Sequence, residues 1–210
     1  NKINEIVKPK IKGRIHYDEK YVKVKKKDCY DLNAIDSETK FVLAHKFTDE
    51  RNKKNCVEFL KQIKDNCLSQ ILERYYFKKF TGIDKRIVFV SDKFWNYRSA
   101  FNKLFYRIAI LQFGVPIACK KHNLEHNNNP IERYNGKIKD RIKNIRSSFK
   151  GFDDARCFMD LRRVINNFVN PHQELKEKTP AEIAEINLGL GRNKLLNLIG
   201  FIKDNEVSLT

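Results

Sequence analysis

The chain has 210 residues, and its 43 Lys and Arg residues against 26 Asp and Glu residues give a net charge of +17. This length suits one sizeable domain with a buried core, and a hydrophobic content of 41% argues against wholesale disorder. So positive a charge favours polyanionic partners, either nucleic acid or an anionic membrane surface. The longest uncharged apolar stretch, residues 108–119, is too short to span a membrane and is broken by Gly114 and Pro116.

The chain opens at Asn1 without a signal peptide, so we expect a fragment of a longer protein. Residues 1–13 are basic and are interrupted by Pro9 and Gly13, which is typical of a linker that leads into a domain. The five cysteines are odd in number and form no CxxC pair, as is ordinary for a protein in a reducing cytosol.

The segment from Arg14 to Phe47 is rich in β-branched and aromatic residues. Short connections at residues 27–28 and 37–40 divide it into three strands, which predicts an antiparallel meander. After Arg51 the apolar period becomes helical and predicts one long helix, or two in series, up to Gly82. This helical face consists of Val57, Leu60, Ile63, Cys67 and Ile71.

Residues 86–92, "RIVFVSD", form a continuous apolar run of the kind that a buried central strand needs. A helix marked by aromatic residues between Phe94 and Phe105 follows, and then one or two short strands within residues 108–119. Trp95 and Tyr97 at the start of that helix are predicted to be mostly core residues, although one of them is a candidate for contact with a nucleobase.

Apolar residues then repeat at spacings of three and four, which predicts a helix with one buried stripe. Its members are Ile131, Tyr134, Ile138, Ile142, Ile145 and Phe149. A second stripe predicts a further helix and consists of Ala155, Phe158, Leu161, Ile165 and Phe168. Thr179, Pro180 and Glu182 predict a capping box at another helix, and a last short helix is expected in the tail. The order of elements predicts an α/β fold with a mixed sheet.

Three acids occupy unusual places in this layout. Asp18 lies inside the first strand, Asp92 ends the buried strand, and Glu132 begins a helix at the border of its apolar stripe. Taken singly, each has an ordinary explanation: an edge-strand charge, a helix cap or a partner of the helix dipole. Together their carboxylates form a set of oxygen ligands for divalent cations, and Mg²⁺ prefers oxygen ligands.

Three segments resemble the catalytic core of the DDE transposases of bacterial and archaeal insertion sequences. They are "YDEKYVKVKKKDCYDLNAID", "VFVSDKFWNYRSAF" and "NNPIERYNGKIKDRIKNIRSSFKGF". The resemblance implies a ribonuclease H-like fold, shared with retroviral integrases, in which a mixed central sheet with three antiparallel strands first is flanked by helices. It covers residues 14–187 as a catalytic domain, with 1–13 as the linker from a missing N-terminal DNA-binding region and 188–210 as a C-terminal helical tail.

The same resemblance implies that Asp18, Asp92 and Glu132 are the catalytic acids and hold two Mg²⁺ or Mn²⁺ ions. The implied activity is cleavage of DNA at the ends of a mobile element and transfer of the 3′-hydroxyl into target DNA. The partners would be double-stranded DNA and further copies of the chain, as a homodimer or higher oligomer. The implied location is the cytoplasm of a prokaryote, in association with the nucleoid.

The family also places a Lys or Arg seven residues after the glutamate, and that position is Lys139. Seven residues fall about 20° short of two helical turns, so Lys139 shares a face with Glu132. The resemblance implies phosphate contacts for Lys139 and, with less support, for Lys143, Arg133 and Lys137. Asn129 and His126, just ahead of Glu132, are candidates for contacts with DNA or with the acids.

Other candidate site residues have weaker support from the sequence. Asp36 in "IDSET" is predicted to form a turn. Cys119, His122 and His126 have zinc-like spacing but lack an evident fourth ligand. Two alternatives to a transposase remain open: a ribonuclease H-like nuclease that does not transfer strands, and a domesticated, catalytically silent DNA-binding protein.

The basic charge leads to a first prediction. Because bound lysines and arginines release counterions from DNA, log affinity for a duplex should fall linearly with log salt, with a slope of about −0.9 for each phosphate contacted. Fluorescence anisotropy of a labelled duplex between about 50 and 200 mM salt measures this slope. Affinity that stays flat over that range would remove the DNA-binding role of the basic residues.

Overall fold

The computed structural model describes residues 7–114, 128–143 and 149–207. Within these ranges one mixed sheet is formed by the strands Ile15–Val24 (β1), Lys27–Asp36 (β2), Val42–Thr48 (β3), Val88–Ser91 (β4) and Ile110–Phe113 (β5). Their order across the sheet is β3-β2-β1-β4-β5. The first three strands are antiparallel, whereas β4 is parallel to both β1 and β5. The predicted α/β architecture with an antiparallel meander first is confirmed.

The α-helices are Lys53–Thr81 (α1), Trp95–Phe105 (α2), Asn129–Lys143 (α3), Phe152–Val164 (α4), Pro180–Ile183 (α5) and Lys194–Val207 (α6). A π-helical segment, Ile165–Val169, continues α4, and a 3-10 turn covers Gln173–Leu175. Elements therefore follow one another in the predicted order. Among the described helices, none combines the length and the apolar character that a membrane crossing requires.

The hairpin between β1 and β2 turns earlier than the sequence indicated. The two strands pair from Ile15 opposite Asp36 to Val24 opposite Lys27. Lys25 and Lys26 connect them with φ angles of 47° and 69°, which is the left-handed backbone of a two-residue hairpin turn. The predicted connection at residues 27–28 is therefore wrong by two positions. Lysine is not among the residues that favour such a turn, so composition alone did not indicate it.

The crossover from β3 to β4 is a single helix of 29 residues, so the sequence after Arg51 forms one long helix and not two in series. Asn52 caps its start by accepting a hydrogen bond from the Asn55 N–H at 2.9 Å, and Gly82 ends it with a φ of 73°. Its buried face includes the predicted Leu60, Ile63, Cys67 and Ile71, while Val57 is half-buried. Because α1 crosses the sheet, β4 can lie parallel to β1.

The sheet separates two apolar clusters. Alternation along β1 directs Tyr17 toward α1 and α2, and directs Val22 and Val24 toward α3 and α4. The Tyr17 ring packs against Phe89 and Tyr97, with centroids 6.3 Å and 5.1 Å away. Even-numbered side chains of β1 therefore face α3, and odd-numbered side chains face α2.

The stripe of α3 is shorter than its periodicity predicted. Its buried members are Ile131, Tyr134 and Ile138. Ile145 lies outside the described residues. Phe149 is not helical, and it forms an isolated parallel bridge with Val24 that extends the edge of β1. The prediction of one helix reaching Phe149 is wrong, because strand pairing satisfies the backbone there.

The buried face of α4 also differs from the predicted stripe. Leu161 is 51% exposed, whereas Ala155, Met159 and Arg163 are buried. The predicted stripe followed apolar residues, but this helix turns Arg163 inward, where the charges of Asp160 on the same helix and of Asp31 on β2 act on it. Farther along, the predicted capping box is confirmed: Glu182 accepts a hydrogen bond from the Thr179 N–H at 2.6 Å, and Thr179 accepts one from the Glu182 N–H.

Asp36 is fully buried at the end of β2. Its carboxylate accepts hydrogen bonds from the backbone N–H groups of Glu38 and Thr39, both at 2.8 Å, as expected of a turn-forming aspartate. It also accepts from the N–H groups of Lys12 and Gly13, at 2.9 Å and 3.0 Å. A Cβ on Gly13 would approach the Glu38 nitrogen to 2.8 Å, so the close approach of the two backbones requires glycine.

The segment from 7 to 13 packs along α1. Val7 and Ile11 are buried in the same cluster as Tyr17. The Ile11 N–H donates to Gln70 Oε1 at 2.9 Å, and Arg74 donates to the Ile11 carbonyl at 3.0 Å. Residues that we expected to act as a linker therefore contribute side chains to the core.

A buried ionic cluster joins α4 to the sheet. His45 of β3 contacts Asp31 Oδ1 through Nε2 at 2.5 Å and Asp160 Oδ1 through Nδ1 at 3.2 Å. Burial lowers the pKa of His45, but the charges and hydrogen bonds of Asp31 and Asp160 outweigh it and raise that pKa to about 9, against the opposing charge of Arg163. His45 is therefore charged at neutral pH and donates to both carboxylates.

This cluster predicts a pH-dependent stability. Because the pKa of His45 is about 9 in the fold and 6.5 when unperturbed, its contribution is complete below pH 6.5 and is lost as pH rises to 9. The loss should be on the order of 3 kcal/mol at 1.36 kcal/mol per pKa unit. Urea unfolding at both pH values measures it.

The matched control is His45→Gln combined with Asp31→Asn, because the single His45 variant would leave Asp31 charged and buried without its partner. The double variant should show a smaller fall in the free energy of unfolding over the same pH range. An equal fall in both proteins would show that His45 does not carry the effect.

Candidate active site

Asp18 lies in the middle of β1 and is half-buried. It stands opposite Asn33 of β2, and its even-numbered position directs it toward α3. Pairing with β2 holds the backbone of Asp18, so the position of its carboxylate is fixed by the sheet and not by a loop.

Asp92 directly follows β4. The parallel register sets Ile15 beside Phe89 and His16 beside Val90, so two further residues along each strand bring Asp18 level with Asp92. Carboxylate oxygens of these two residues and of Glu19 all lie within 4.8 Å of one another. Asp92 Oδ1 also accepts a hydrogen bond from the Phe94 N–H at 3.1 Å, which holds the carboxylate at the mouth of the turn.

Glu132 lies in the first turn of α3 and is exposed. Its negative charge acts on Asp18, but its carboxylate is not part of the group whose oxygens lie within 4.8 Å of one another. The start of α3 is tied to β1, since His16 Nδ1 and Asn128 Oδ1 lie 3.2 Å apart. The structure thus brings Asp18 and Asp92 together and sets Glu132 nearby, on the helix that faces them.

Several negative charges lie close together around Asp18. Burial, together with the charges of Asp92 and Glu132, raises the pKa of Asp18 to about 7 against the opposing charges of Arg51 and Lys20. Carboxylates that repel one another gain from a bound cation. Hard divalent cations take oxygen ligands, so Asp18 and Asp92 fit a magnesium or manganese ion, and the charge of Glu132 acts on the same site.

Glu19 was not predicted from the sequence. Tyr97 of α2 donates its hydroxyl to Glu19 Oε2 at 2.8 Å, and Arg51 forms an ion pair with Glu19 Oε1. The Arg51 guanidinium also lies over the Phe94 ring, 3.8 Å from its centroid. The charge of Glu19 is therefore compensated within the protein, while Asp18 and Asp92 remain in mutual repulsion.

Positive side chains lie on the Glu132 side of α3. Lys139 is exposed, as the helical spacing predicted, and Lys143 follows on nearly the same face. Lys20, two residues after Asp18 on β1, joins them: burial and the charge of Lys139 both lower the pKa of Lys20. Sequence reasoning missed Lys20, although the alternation of β1 places it on the face of Asp18.

Arg133 and Lys137 lie on a different face of α3 from Glu132. Arg133 donates to Glu174 at 2.6 Å, and Lys137 Nζ lies 2.9 Å from His172 Nε2. Both line a cleft of about 500 Å³ whose other polar residues include Lys40, Asn129, Asp140, Asn166, His172 and Glu174. The four basic residues proposed to contact phosphates therefore lie on two faces of α3. Asn129 belongs to the cleft, and His126, Cys119 and His122 lie outside the described residues.

Trp95 and Tyr97, both at the start of α2, differ in their burial. Tyr97 is fully buried, as predicted, but Trp95 is 70% exposed, so the prediction that it is mostly core is wrong. Successive helical positions point in directions about 100° apart, and two residues apart they are on nearly opposite sides. Tyr97 takes the side that meets Tyr17 and Glu19.

A family model described as a DDE domain matches residues 12–172. No curated protein matches the chain. Among solved structures, the chain is similar to a chain of the simian T-cell lymphotropic virus intasome in complex with PP2A regulatory subunit B56 gamma, with 12% identity and a TM-score of 0.52. That likeness covers 87% of this chain and 59% of the other, so the chain spans about three-fifths of that protein's length.

Two further structures are integrase catalytic core domains. The core of HTLV-2 integrase in complex with magnesium has 12% identity and a TM-score of 0.48, over 83% of this chain and 97% of that one. The core of BIV integrase has 15% identity and a TM-score of 0.47, over 81% and 92%. The predicted ribonuclease H-like fold is confirmed by the strand order and by the likeness to the intasome chain.

The crowding of carboxylates predicts how Asp92→Asn changes stability. Asparagine keeps the oxygen that accepts from Phe94 and removes one charge, so without metal the midpoint of thermal unfolding should stay equal or rise by about 2–4 °C for each kcal/mol of repulsion relieved. Addition of Mn²⁺ should stabilise the wild-type protein more than the variant, because a ligand that binds only the folded state stabilises it.

Differential scanning fluorimetry with and without Mn²⁺ measures both effects. Asp28→Asn is the matched control, since Asp28 is an exposed acid at the far end of β2. A gain on Mn²⁺ addition that is the same for the wild type, Asp92→Asn and Asp28→Asn would show that Asp92 does not hold the ion.

Proposed function

Since the chain belongs to the DDE domain family, we propose that it is the catalytic core of a transposase. It would act as a polynucleotidyl transferase with DNA endonuclease activity, cutting DNA at the ends of a mobile element and joining the freed 3′-hydroxyl to target DNA. The observation that carries this proposal is the pair Asp18 and Asp92 on adjacent parallel strands, with carboxylate oxygens within 4.8 Å of one another.

Asp18, Asp92 and Glu132 are the residues that would hold two Mg²⁺ or Mn²⁺ ions. When bound, such a pair of ions activates the attacking oxygen and stabilises the leaving oxygen of an in-line phosphoryl transfer. The protein supplies the placement: β1 and β4 fix two carboxylates rigidly, and α3 presents the third. Glu19 lies beside Asp18 and Asp92, but Arg51 and the Tyr97 hydroxyl pair with its carboxylate, so that it does not add a fourth unpaired charge.

The DNA backbone would lie along the face shared by Glu132 and Lys139. Lys139, Lys143 and Lys20 would contact phosphates near the scissile bond. Such contacts fix the position of the substrate but do not read its sequence. The surrounding lysines also favour the approach of a polyanion to a site that is itself acidic.

The second basic face is a further candidate for contact with DNA. Arg133, Lys137 and Asn129 line the cleft on the other side of α3, and His126 precedes it in the chain. Because Arg133 and Lys137 lie on a different face of α3 from Lys139, we assign these four residues to a separate segment of DNA.

In the proposed organisation, residues 14–187 form the catalytic domain, 1–13 lead in from an N-terminal DNA-binding region, and 188–210 form a helical tail. Two or more copies would act together on the paired ends of the element, in the cytoplasm and in association with the nucleoid. A transposase that joins two ends to one target needs at least one active site for each end, which supports an oligomer on DNA.

The test is a strand-transfer assay with labelled oligonucleotide ends and Mn²⁺. Wild-type protein should nick the ends and join them to a target plasmid. Asp92→Asn should lose more than about 100-fold in both steps, because even residues that only support metal ligands are worth 10–100-fold. Affinity for the same DNA should change little.

Asp28→Asn again serves as the control and should cut and join at the wild-type rate. Nicking without joining would favour the nuclease alternative, and binding without either step would favour the silent DNA-binding protein. Joining that survives in Asp92→Asn would place the second acid elsewhere and end the three-acid assignment.

A further inference from the structure

Two aromatic rings beside the acids are exposed. Trp95 is 70% exposed and Tyr21 is 52% exposed, although aromatic residues only a few positions away, such as Tyr17, Tyr97 and Phe101, are buried. Burial of a large apolar side chain stabilises a fold. Leaving these two rings in water forgoes stability that the neighbouring core residues obtain.

Both rings follow a catalytic acid by three residues. Tyr21 comes after Asp18 on β1, and Trp95 comes after Asp92 at the start of α2. Consecutive Cα atoms are 3.8 Å apart, so each ring is attached within about 11 Å of its acid. The two rings therefore border the place where the scissile phosphate would lie.

Neighbouring groups hold the rings in place. Tyr21 meets Tyr30 edge to face at a centroid distance of 5.2 Å, and the Arg51 guanidinium lies 5.9 Å from the Tyr21 centroid. The Arg98 guanidinium lies 5.9 Å from the Trp95 centroid. Arg51 is paired with Glu19, so the cation next to Trp95 is Arg98. A cation near an aromatic ring favours a ligand that combines a π-face with a negative charge, which is the composition of a nucleotide.

We propose that Trp95, with Tyr21, forms a stacking site for an unpaired nucleobase next to the scissile phosphate. The inference rests on the proposed function, since it names the part of the substrate that the acids alone do not bind. A paired base is inaccessible inside the duplex, so the occupant is a base at a frayed or single-stranded DNA end. Stacking tolerates any base, because every base has a π-face.

This chain offers a direct probe, because Trp95 is its only tryptophan. Intrinsic fluorescence of the Glu132→Gln variant, which leaves the DNA intact, is titrated with a duplex that carries a short single-stranded end. The same duplex with abasic sites in that end is the comparison. Trp95 emission should be quenched by the first DNA and much less by the second, at saturating concentrations of each.

Affinity provides the second measurement, by anisotropy of labelled DNA. Base–aromatic stacking is worth about 1–3 kcal/mol per base, so Trp95→Ala should weaken binding of the base-bearing end by about 5- to 140-fold at 1.4 kcal/mol per tenfold. Binding of the abasic end should not change, and Trp95→Phe should retain most of the affinity. Tyr106→Ala is the matched control, since Tyr106 is 63% exposed at the opposite end of α2.

Three results would overturn the stacking site: equal quenching by both DNAs, an equal loss of affinity in Tyr106→Ala, or a change in Trp95 emission that follows protein concentration without DNA. The last would mean that a second copy covers the ring. Failure here is separable from failure of the proposed function. Wild-type strand transfer without base-dependent quenching removes only the stacking site, whereas base-dependent quenching in a wild-type protein that neither cuts nor joins removes only the transposase activity.

Discussion

The parallel pairing of β1 with β4 is the constraint on which the candidate site depends. Only Ile15 and His16 pair with residues of β4, Phe89 and Val90, and the acids follow immediately where the ladder ends. Hydrogen bonding and the packing of Tyr17 and Phe89 behind the strands force two carboxylates into proximity that they would not adopt in water. The energy of the sheet thus maintains an arrangement that electrostatics alone opposes.

Compensation of charge then distinguishes acids that stabilise the fold from acids that are available for a ligand. Glu19 has Arg51 and the Tyr97 hydroxyl, and Asp31 has His45. Asp18 has no comparable donor among the contacts described, and burial beside other acids raises its pKa to about 7. Among these acids, Glu19 and Asp31 are neutralised, whereas Asp18 beside Asp92 is not and therefore fits a divalent cation.

Local patterns predicted what depends on neighbours in sequence. The order of helices and strands follows from apolar periodicity, and Asp18 and Asp92 were found because an acid within a strand or at its end is conspicuous. Contacts between residues far apart in sequence could not be predicted from such patterns. Nothing in the sequence near Glu19 indicates Arg51, and only the packing of β1 against α3 shows that Lys20 approaches Lys139. The exposure of Trp95 is likewise set by tertiary packing, since its sequence context matches that of buried Tyr97.

The hydrogen bonds of Asp36 have a mechanical consequence. Because this one carboxylate holds the backbone of Lys12 and Gly13 against the turn after β2, residues 7–13 are clamped at a point only five residues before Asp18. A force or displacement applied to residues 7–13 would therefore act on β1, the middle strand of the sheet, and not on an edge strand. The direction of residues 7–13 is therefore fixed relative to Asp18 and Asp92.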